Sequence, residues 1–185
     1  MRPAFLFTRA AASEQRRIFA GPFVPNVVAG HVPVLPYPAG LRLQALATED
    51  AAEAFRLAVL SDERGPFNLA ADPIIDGQML ADVLGARLLV VPPALVRAAI
   101  ATAWHLRLAP AEPGLFDLVS SLPQLDTGRA RRELGWEPAV SSIDAVRAFV
   151  RGMADGAGGG TAPLQPDGLR ARWEELRTGV GTRVG

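Results

Sequence analysis

Apolar and polar positions along the chain follow the periods of strands and helices in turn. Ala4 to Phe7 is a short apolar run, which is typical of a strand buried on both faces. Residues 41–47 alternate with a period of two, which predicts a second strand, and apolar residues then recur at helical spacing from Ala51 to Val59. Residues 67–70 predict a further strand. Strands that alternate with helices indicate an α/β fold.

Capping residues and breakers mark where the predicted helices begin and end. Thr48 is the predicted N-cap of the helix after the second strand, with Glu49 and Asp50 in its first turn, where carboxylates favour the positive end of the helix dipole. Asp76 is the predicted cap of a helix that Gly85 ends.

Less strongly patterned segments complete the expected order of elements. Residues 30–40 are rich in proline and predict a loop or edge strand, and residues 88–91 predict a short strand. Further helices are predicted over residues 13–20, over residues 126–134 with Asp126 or Thr127 as cap, and from Ser141 or Ser142 to about residue 150.

The length of the chain and two biased segments set the expected domain organisation. A chain of 185 residues buries roughly 70% of its unfolded surface when it folds. Residues 92–108 are apolar but interrupted by charge, and they fall short of the roughly 20 residues of a membrane span, so a buried or interface helix is predicted. Gly156 to Gly160 suits a linker. We predict an α/β domain over residues 1–152, a Gly/Pro-rich linker over 153–168, and a short helix with a frayed tail over 169–185.

Charge and cysteine content narrow the classes of partner. The chain carries 19 basic and 19 acidic residues, so no surplus charge is present to bind a phosphate backbone or an anionic membrane surface. We therefore predict neither nucleic acid nor membrane as a partner. Cysteine is absent, which excludes disulfides and thiolate chemistry and suits a cytoplasmic location.

Residues for proton transfer and phosphate binding are scarce. All 19 basic residues are arginine, so a phosphate-binding loop that needs lysine is excluded. Tyr37 is the only tyrosine and has no lysine partner to lower its pKa, so it is predicted to be a packing residue. His31 and His105 show no metal-ligand spacing. We assign no catalytic residue and no metal ligand.

A dinucleotide site of the doubly wound type needs a Gly-rich turn between a strand and a helix, because the pyrophosphate approaches bare backbone there. The Gly156 to Gly160 run instead follows a helix and precedes a Pro-rich tail. By sequence alone, this chain is not expected to bind a dinucleotide tightly.

Three segments, in this order, resemble the extended short-chain dehydrogenase/reductases, also described as NAD-dependent epimerases/dehydratases. Arg2 to Thr8 is similar to the strand after the catalytic helix of that family. Leu43 to Ala54, followed by Gly65 to Ala70, is similar to its strand, acidic turn, helix and next strand. Asp126 to Pro138 contains the closing Leu-Gly-Trp-x-Pro element, the most specific of the three.

The resemblance implies the C-terminal, substrate-side part of a Rossmann-like fold, with a few strands, surrounding helices and an incomplete sheet. It implies that this part helps to bind NAD or NADP and a small-molecule substrate. The implied cofactor-binding residues are Pro3, Ala4 and Phe5, and the implied substrate-facing residues are Arg9, Ser13 and Arg16. Separately, Arg129 lies near Arg131 and Arg132 in the sequence and is a candidate for an anionic substrate group, although a solvated charged face is the simpler interpretation.

The chain departs from the family pattern in ways that set the functional hypothesis. The Gly-rich turn and the catalytic Tyr-x-x-x-Lys are not encoded here, and Thr8 stands where the family usually has glycine. We therefore expect the substrate-binding portion of an NAD(P)-dependent epimerase, dehydratase or reductase, not catalytically competent alone. The alternative is a degenerate, non-catalytic remnant that acts as a binding or interaction module.

Two kinds of partner are predicted besides substrate: a nucleotide-binding half supplied by another chain, or a second copy of this chain. The apolar strand at Ala4 to Phe7 supports both, because an unpaired apolar edge favours association.

Overall fold

The computed structural model describes residues 1–19, 32–109 and 111–159, with the backbone alone for residues 16–19. These residues confirm the predicted α/β class, because seven helices surround short parallel strands in small open sheets. The strands are β1 Arg2–Pro3, β2 Phe5–Phe7, β3 Val34–Pro38, β4 Ala45–Ala47, β5 Asn68–Leu69 and β6 Arg87–Val91. A 3-10 turn at Arg9–Ala11 precedes the helices α1 Ala12–Phe19, α2 Thr48–Leu60, α3 Gly77–Leu84, α4 Pro93–His105, α5 Pro113–Ser121, α6 Gly128–Leu134 and α7 Ser142–Ala154.

The first strand segment, residues 2–7, lies between two parallel neighbours. The N–H of Ala4 donates to the carbonyl of Leu69 in β5 at 2.8 Å, whereas the N–H of Phe5 donates to the carbonyl of Gln44 before β4 at 3.2 Å. Successive N–H groups along a strand point to opposite edges, so β5 and β4 flank this segment. The predicted strand is confirmed.

The predicted burial of that strand on both faces is wrong. Phe5 and Leu6 are 37% and 36% exposed. Only Phe7, at the end of β2, gains an aromatic neighbour among the described residues, with its ring centroid 5.1 Å from that of Phe149 in α7. Pairing satisfies the backbone of the strand, but the described elements leave much of its apolar surface open to solvent.

The second strand is shorter than its sequence pattern suggests. Leu43 forms a single antiparallel bridge with Ile75, and the strand proper is β4. All three residues of β4 are buried, because α2 and α7 both contact it. An alternating pattern predicts one solvated face, so the burial of β4 is a consequence of tertiary packing.

The predicted N-cap at Thr48 is also wrong. Ala47 occupies the N-cap position of α2, without a side-chain capping bond. The hydroxyl of Thr48 instead donates to the carbonyl of Phe7 at 3.3 Å and joins the ends of two strands. The hydroxyl of Thr48 thus bonds to a carbonyl 41 positions away instead of capping its own helix.

Other predicted helix ends are confirmed. The carboxylate of Asp76 accepts from the N–H of Met79 at 3.0 Å, and Gly85 ends α3 with a φ of 63°. Ser141, rather than Ser142, caps α7, because its hydroxyl accepts from the N–H of Asp144 at 3.1 Å.

The core is centred on two clusters. The first surrounds the wholly buried Trp136 and joins α2, β5 and α6; the second joins β4 to α3 and α7. The buried members of the first are Leu46, Ala51, Ala54, Phe67, Leu69, Ala71, Ala130, Leu134 and Trp136, and those of the second are Ala45, Ile75 and Val146.

The helical pair α4 and α5 lies outside this core. An ion pair between Arg97 and Asp117, 2.8 Å apart, links the two helices. The predicted burial of α4 is wrong, because none of its residues is buried. The alternative prediction, that α4 forms an interface, is untested. The sequence patterns did not reveal α5. None of the helices in the described part of the chain is long and apolar enough to cross a bilayer.

The predicted edge strand within residues 30–40 is confirmed as β3, which pairs in parallel with β6. At the other end of the chain, α7 continues to Ala154, two residues past the predicted domain boundary. Residues 160–185 lie outside the described residues. They include the greater part of the predicted linker and the whole predicted helix and tail over 169–185. Residue 20, the predicted end of the helix over 13–20, also lies outside the described residues.

Candidate functional site

The carboxyl ends of β2 and β4 lie side by side. Phe7 is in register with Ala47, and the hydroxyl of Thr48 closes the junction by donating to Phe7. The 3-10 turn Arg9–Ala11 and helix α1 then leave this edge. In open α/β sheets, ligands bind outside the carboxyl ends of parallel strands. This edge, called here the carboxyl edge, is therefore the first candidate site.

Ser13 is the unusual residue of the carboxyl edge. Its side chain is 0% exposed, and its hydroxyl has no hydrogen-bond partner among the described residues. Leaving a buried polar group unpaired costs roughly 1–3 kcal/mol, so such a group calls for a functional explanation. The backbone around it is held, because the N–H of Ser13 donates to the carbonyl of Ala157 at 3.3 Å.

Arg9 lies four positions before Ser13 at the same edge. Its guanidinium is 2.7 Å from the carboxylate of Asp155, and both side chains are more than half exposed. An exposed pair of this kind contributes about 0–1 kcal/mol, so exchanging Asp155 for an anionic ligand is inexpensive. The backbone of Arg16 belongs to α1, and its side chain lies outside the described residues. Arg9 and Ser13 thus lie four positions apart on the 3-10 turn and α1, and the described contacts include none between their side chains.

Arg129 is held elsewhere, against β5. Its guanidinium donates to the carbonyls of Arg64 and Pro66 at 2.6 and 3.0 Å and pairs with Glu133 at 2.7 Å. The same group lies 4.4 Å from the ring centroid of Phe67. These contacts favour a structural role for Arg129. They do not support the substrate-binding role assigned from the sequence, which stays a prediction.

The predicted cofactor residues line a cavity of about 270 Å³ at the opposite, amino-terminal ends of β2 and β4. We call it the amino-end pocket. Its wall opposite the strand comes from the end of α5 and the segment that follows. The lining residues are Pro3, Ala4, Phe5, Arg42, Leu43, Gln44, Val119, Leu122, Pro123, Gln124 and Leu125.

Two amides tether the far wall of the amino-end pocket to the strands. The side chain of Gln44 donates to the carbonyl of Leu125 at 3.1 Å and accepts from its N–H at 2.6 Å. The side chain of Asn68 donates to the carbonyl of Asp126 at 3.1 Å. Neither amide contact was predictable from local sequence patterns, because the partners of Asn68 and Gln44 lie 58 and 81 positions away.

The amino-end pocket does not fit a whole dinucleotide. At about 270 Å³, it lies below the roughly 300–1,000 Å³ typical of pockets for drug-sized molecules, and the described residues contain no Gly-rich turn between a strand and a helix. Pro3, Ala4 and Phe5 also lie at the amino ends of the strands rather than at the carboxyl edge. Their assignment to a cofactor stays a prediction.

Tyr37 is buried beside the first residue of α3. Its hydroxyl donates to the carbonyl of Leu41 at 3.3 Å. Burial raises the pKa of Tyr37 to about 12, the carboxylate of Asp76 adds to the rise, and Arg42 opposes it. A proton held this firmly suits the packing role predicted for Tyr37.

The two histidines add no site among the described residues. The ring of His105 meets that of Trp104 edge-on at 5.0 Å, and His31 lies outside the described residues. Within residues 1–19, 32–109 and 111–159, no three His, Cys, Asp or Glu side chains are placed to hold a metal ion.

Two mycobacterial proteins are similar to nearly the whole chain. Uncharacterized protein Rv0501 of Mycobacterium tuberculosis and Uncharacterized protein Mb0513 of Mycobacterium bovis are each 29% identical to it over 171 residues. The match covers 91% of this chain and 41% of each relative, so the chain spans about two fifths of the length of the curated relatives it matches. No family model matches the chain.

Solved structures resemble the chain to different degrees. The crystal structure of gox2253 matches with a TM-score of 0.52 and 16% identity over 83% of this chain and 48% of that chain. The UDP-N-acetylglucosamine 4-epimerase from Bacillus cereus matches with a TM-score of 0.45 and 14% identity over 82% of this chain and 45% of that chain. The match to gox2253, at 16% identity, is one of fold alone, and at that level the predicted partial, Rossmann-like fold is confirmed.

Proposed function

We propose that this chain is the substrate-side portion of an NAD(P)-dependent epimerase, dehydratase or reductase and does not turn over substrate alone. The observation that carries the proposal is strand segment 2–7, which pairs in parallel on both edges while Phe5 and Leu6 stay 37% and 36% exposed. A strand so placed in a complete α/β sheet is covered on both faces. Phe5 and Leu6 are successive residues and lie on opposite faces, so the incompletely covered surface on each face suits a further body of protein.

The substrate, in this proposal, binds at the carboxyl edge. The guanidinium of Arg9 exchanges Asp155 for an anionic group of the substrate. Ser13, whose hydroxyl is buried and unpaired among the described residues, is a second candidate from the family resemblance. Arg16 is a third candidate, from the family resemblance. None of these groups transfers a proton in the proposal, so they bind and orient the substrate.

In the proposal, the dinucleotide, NAD or NADP, is bound mainly by residues outside this chain, because the described residues offer no Gly-rich turn and the amino-end pocket is too small for it. The proposed partner is a nucleotide-binding half that covers Phe5 and Leu6. The competing partner is a second copy of this chain, bound through the same apolar surface. Cytoplasmic localisation stays a prediction from the sequence.

A reconstitution experiment tests the proposal. The part of Rv0501 outside the match is expressed as a separate chain and mixed with this one, and binding of NADH is followed by its fluorescence. We expect neither chain alone to bind NADH tightly and the mixture to bind it. Leu6→Glu, which places a charge on the exposed strand, should prevent binding. Leu118→Glu is the matched control on α5, where the native leucine is 56% exposed, and should leave it intact.

Three results contradict the proposal. Tight, stoichiometric binding of NADH by this chain alone shows that it holds the cofactor itself. A stable complex of the two chains that stays silent toward NADH indicates a non-catalytic interaction module. Absence of any complex, together with a dimer of this chain that Leu6→Glu dissociates on sizing chromatography, identifies self-association as the role of the apolar strand.

A further inference from the structure

We propose that the amino-end pocket binds a small, mostly apolar carboxylate about the size of one aromatic ring or a short acyl chain. The pocket lies at the ends of β2 and β4 opposite the carboxyl edge, so this site is separate from the proposed substrate site. Phe5 lines the pocket and also belongs to the surface proposed for the partner, so the test uses this chain without a partner.

The walls of the pocket are fixed before any ligand binds. Leu43 is joined to Ile75 by two backbone hydrogen bonds of 3.0 and 2.8 Å, and Gln44 is joined to Leu125 by the two bonds of its side-chain amide. These bonds hold the strand side and the far wall at a set separation. A preformed cavity binds a ligand without the cost of ordering its walls.

The chemistry of the lining selects an apolar body. Leu43, Val119 and Leu122 contribute aliphatic surface from both walls, with Phe5 adding an aromatic ring. The amide of Gln44 is already paired with backbone and does not need a ligand. Apolar cavities hold water poorly, so an apolar group gains by entering this one.

Arg42 supplies the charge. Among the lining residues that the structure describes, it is the one with a charged side chain. Its nearest approach to the carboxylate of Asp76 is 3.9 Å, which is beyond hydrogen-bond distance, and the Arg42 side chain is 56% exposed. A guanidinium with donors uncommitted to Asp76 can bind a carboxylate in a bidentate manner.

The volume sets the size of the ligand. At about 270 Å³ the pocket is slightly smaller than the roughly 300–1,000 Å³ of pockets that hold drug-sized molecules. A single ring or short acyl chain with one carboxylate therefore fits, whereas a nucleotide or a sugar nucleotide does not.

The test uses benzoate and benzyl alcohol as probes, which share a ring and differ in charge. Their affinities for the full chain are measured by ligand-observed NMR titration. We expect benzoate to bind roughly tenfold more tightly than benzyl alcohol, since a hydrogen bond to a charged group is worth about that ratio. Arg42→Gln should remove the preference, and Arg87→Gln, a change of the same kind at an exposed arginine on β6 outside the pocket, should keep it.

A pair of tryptophan substitutions separates the pocket from general surface binding. Leu122→Trp should fill the cavity and abolish binding of both probes, whereas Leu118→Trp should not; the two leucines are 47% and 56% exposed, so both variants are expected to fold. Circular dichroism checks that they do. The proposal is overturned if neither probe binds the folded native chain, if both bind equally, or if Leu122→Trp and Arg42→Gln leave binding unchanged.

Discussion

The indole N–H of Trp136 donates to the backbone carbonyl of Asp50 at 2.9 Å, although the two residues are 86 positions apart. The carboxylate of Asp50 in turn accepts from the N–H groups of Ala139 and Val140 at 2.9 and 3.1 Å. The start of α2 and the segment after α6 are thus bonded in both directions around a wholly buried tryptophan. The acidic turn and the Leu-Gly-Trp-x-Pro element, which the sequence showed as separate motifs, form one structural unit.

Replacing Asp50 by alanine should destabilise the fold. The change leaves the N–H groups of Ala139 and Val140 without their acceptor, at a cost of roughly 1–3 kcal/mol for each group that stays buried. Glu49→Ala is the control, because Glu49 lies in the same first turn but is exposed. Urea unfolding followed by circular dichroism measures both variants. Equal midpoints for the two would contradict a structural role for Asp50.

Gly77→Ala should lower stability by about 1–3 kcal/mol through overpacking. A Cβ at Gly77 would lie 2.6 Å from the ring of Tyr37, which is closer than real contacts allow. Gly114→Ala is the matched control near the start of α5, because a Cβ there meets nothing nearer than 3.6 Å. The control should be neutral or slightly stabilising, since alanine favours helices over glycine. The melting temperatures of the two variants, compared with that of the native chain, test this prediction.

Gly152→Ala should disturb the carboxyl edge. A Cβ on this residue of α7 would lie 2.7 Å from the carbonyl oxygen of Arg9 and 3.0 Å from the side chain of Ala12. Backbone cannot move aside as a flexible side chain can, so α7 must shift away from the turn that carries Arg9. We expect faster amide hydrogen exchange at residues 9–13 relative to the native chain. Unchanged protection there would show that the helix absorbs the methyl group.

The stability of the protein should fall at strongly alkaline pH because of Tyr37. Its pKa in the folded state is about 12, above its ordinary value of 10.0, so the folded chain holds the phenolic proton more firmly than the unfolded chain does. This contribution to stability is fully present below about pH 10 and is lost as the pH rises through about 12. Tyr37 is the only tyrosine, so ultraviolet absorbance of the phenolate reports it directly.

The matched variant for this titration is Tyr37→Phe, which removes the ionisable group. Its urea midpoint should decline less steeply between about pH 10 and pH 12 than that of the native chain. An absorbance transition of the folded native chain near pH 10 would contradict the raised pKa.

Features with local causes were predictable from the sequence. Asp76 and Gly85 bound α3 as expected, because a cap bonds within three residues and a left-handed glycine ends a helix where it stands. Much of the order of strands and helices was predictable for the same reason, since most elements carry their own period, although the helix α5 was missed.

Features that depend on distant partners were not predictable. Thr48 has the residue type of a cap, but the carbonyl of Phe7 lies within its reach once the strands pair. Gln44 sits in an alternating strand pattern that does not show its two bonds to Leu125. Ser13 was assigned only by family resemblance, and its unpaired, buried hydroxyl was visible only in three dimensions. The exposure of Leu6 was missed because periodicity reports an apolar residue but not the surface that covers it.

The prolines of β3 limit the ability of that strand to pair with a strand from another molecule. The N–H of Ala39 donates to the carbonyl of Val91, so the backbone N–H and C=O groups of odd-numbered residues in this segment point toward β6. Those of even-numbered residues point away from it, toward the free edge of β3. Pro36 and Pro38 occupy the outward positions, where they remove the donors that an incoming strand would need. The free edge of β3 is therefore a poor template for fibril growth by strand pairing. The strand β6 contains no proline and has no such safeguard at its own edge.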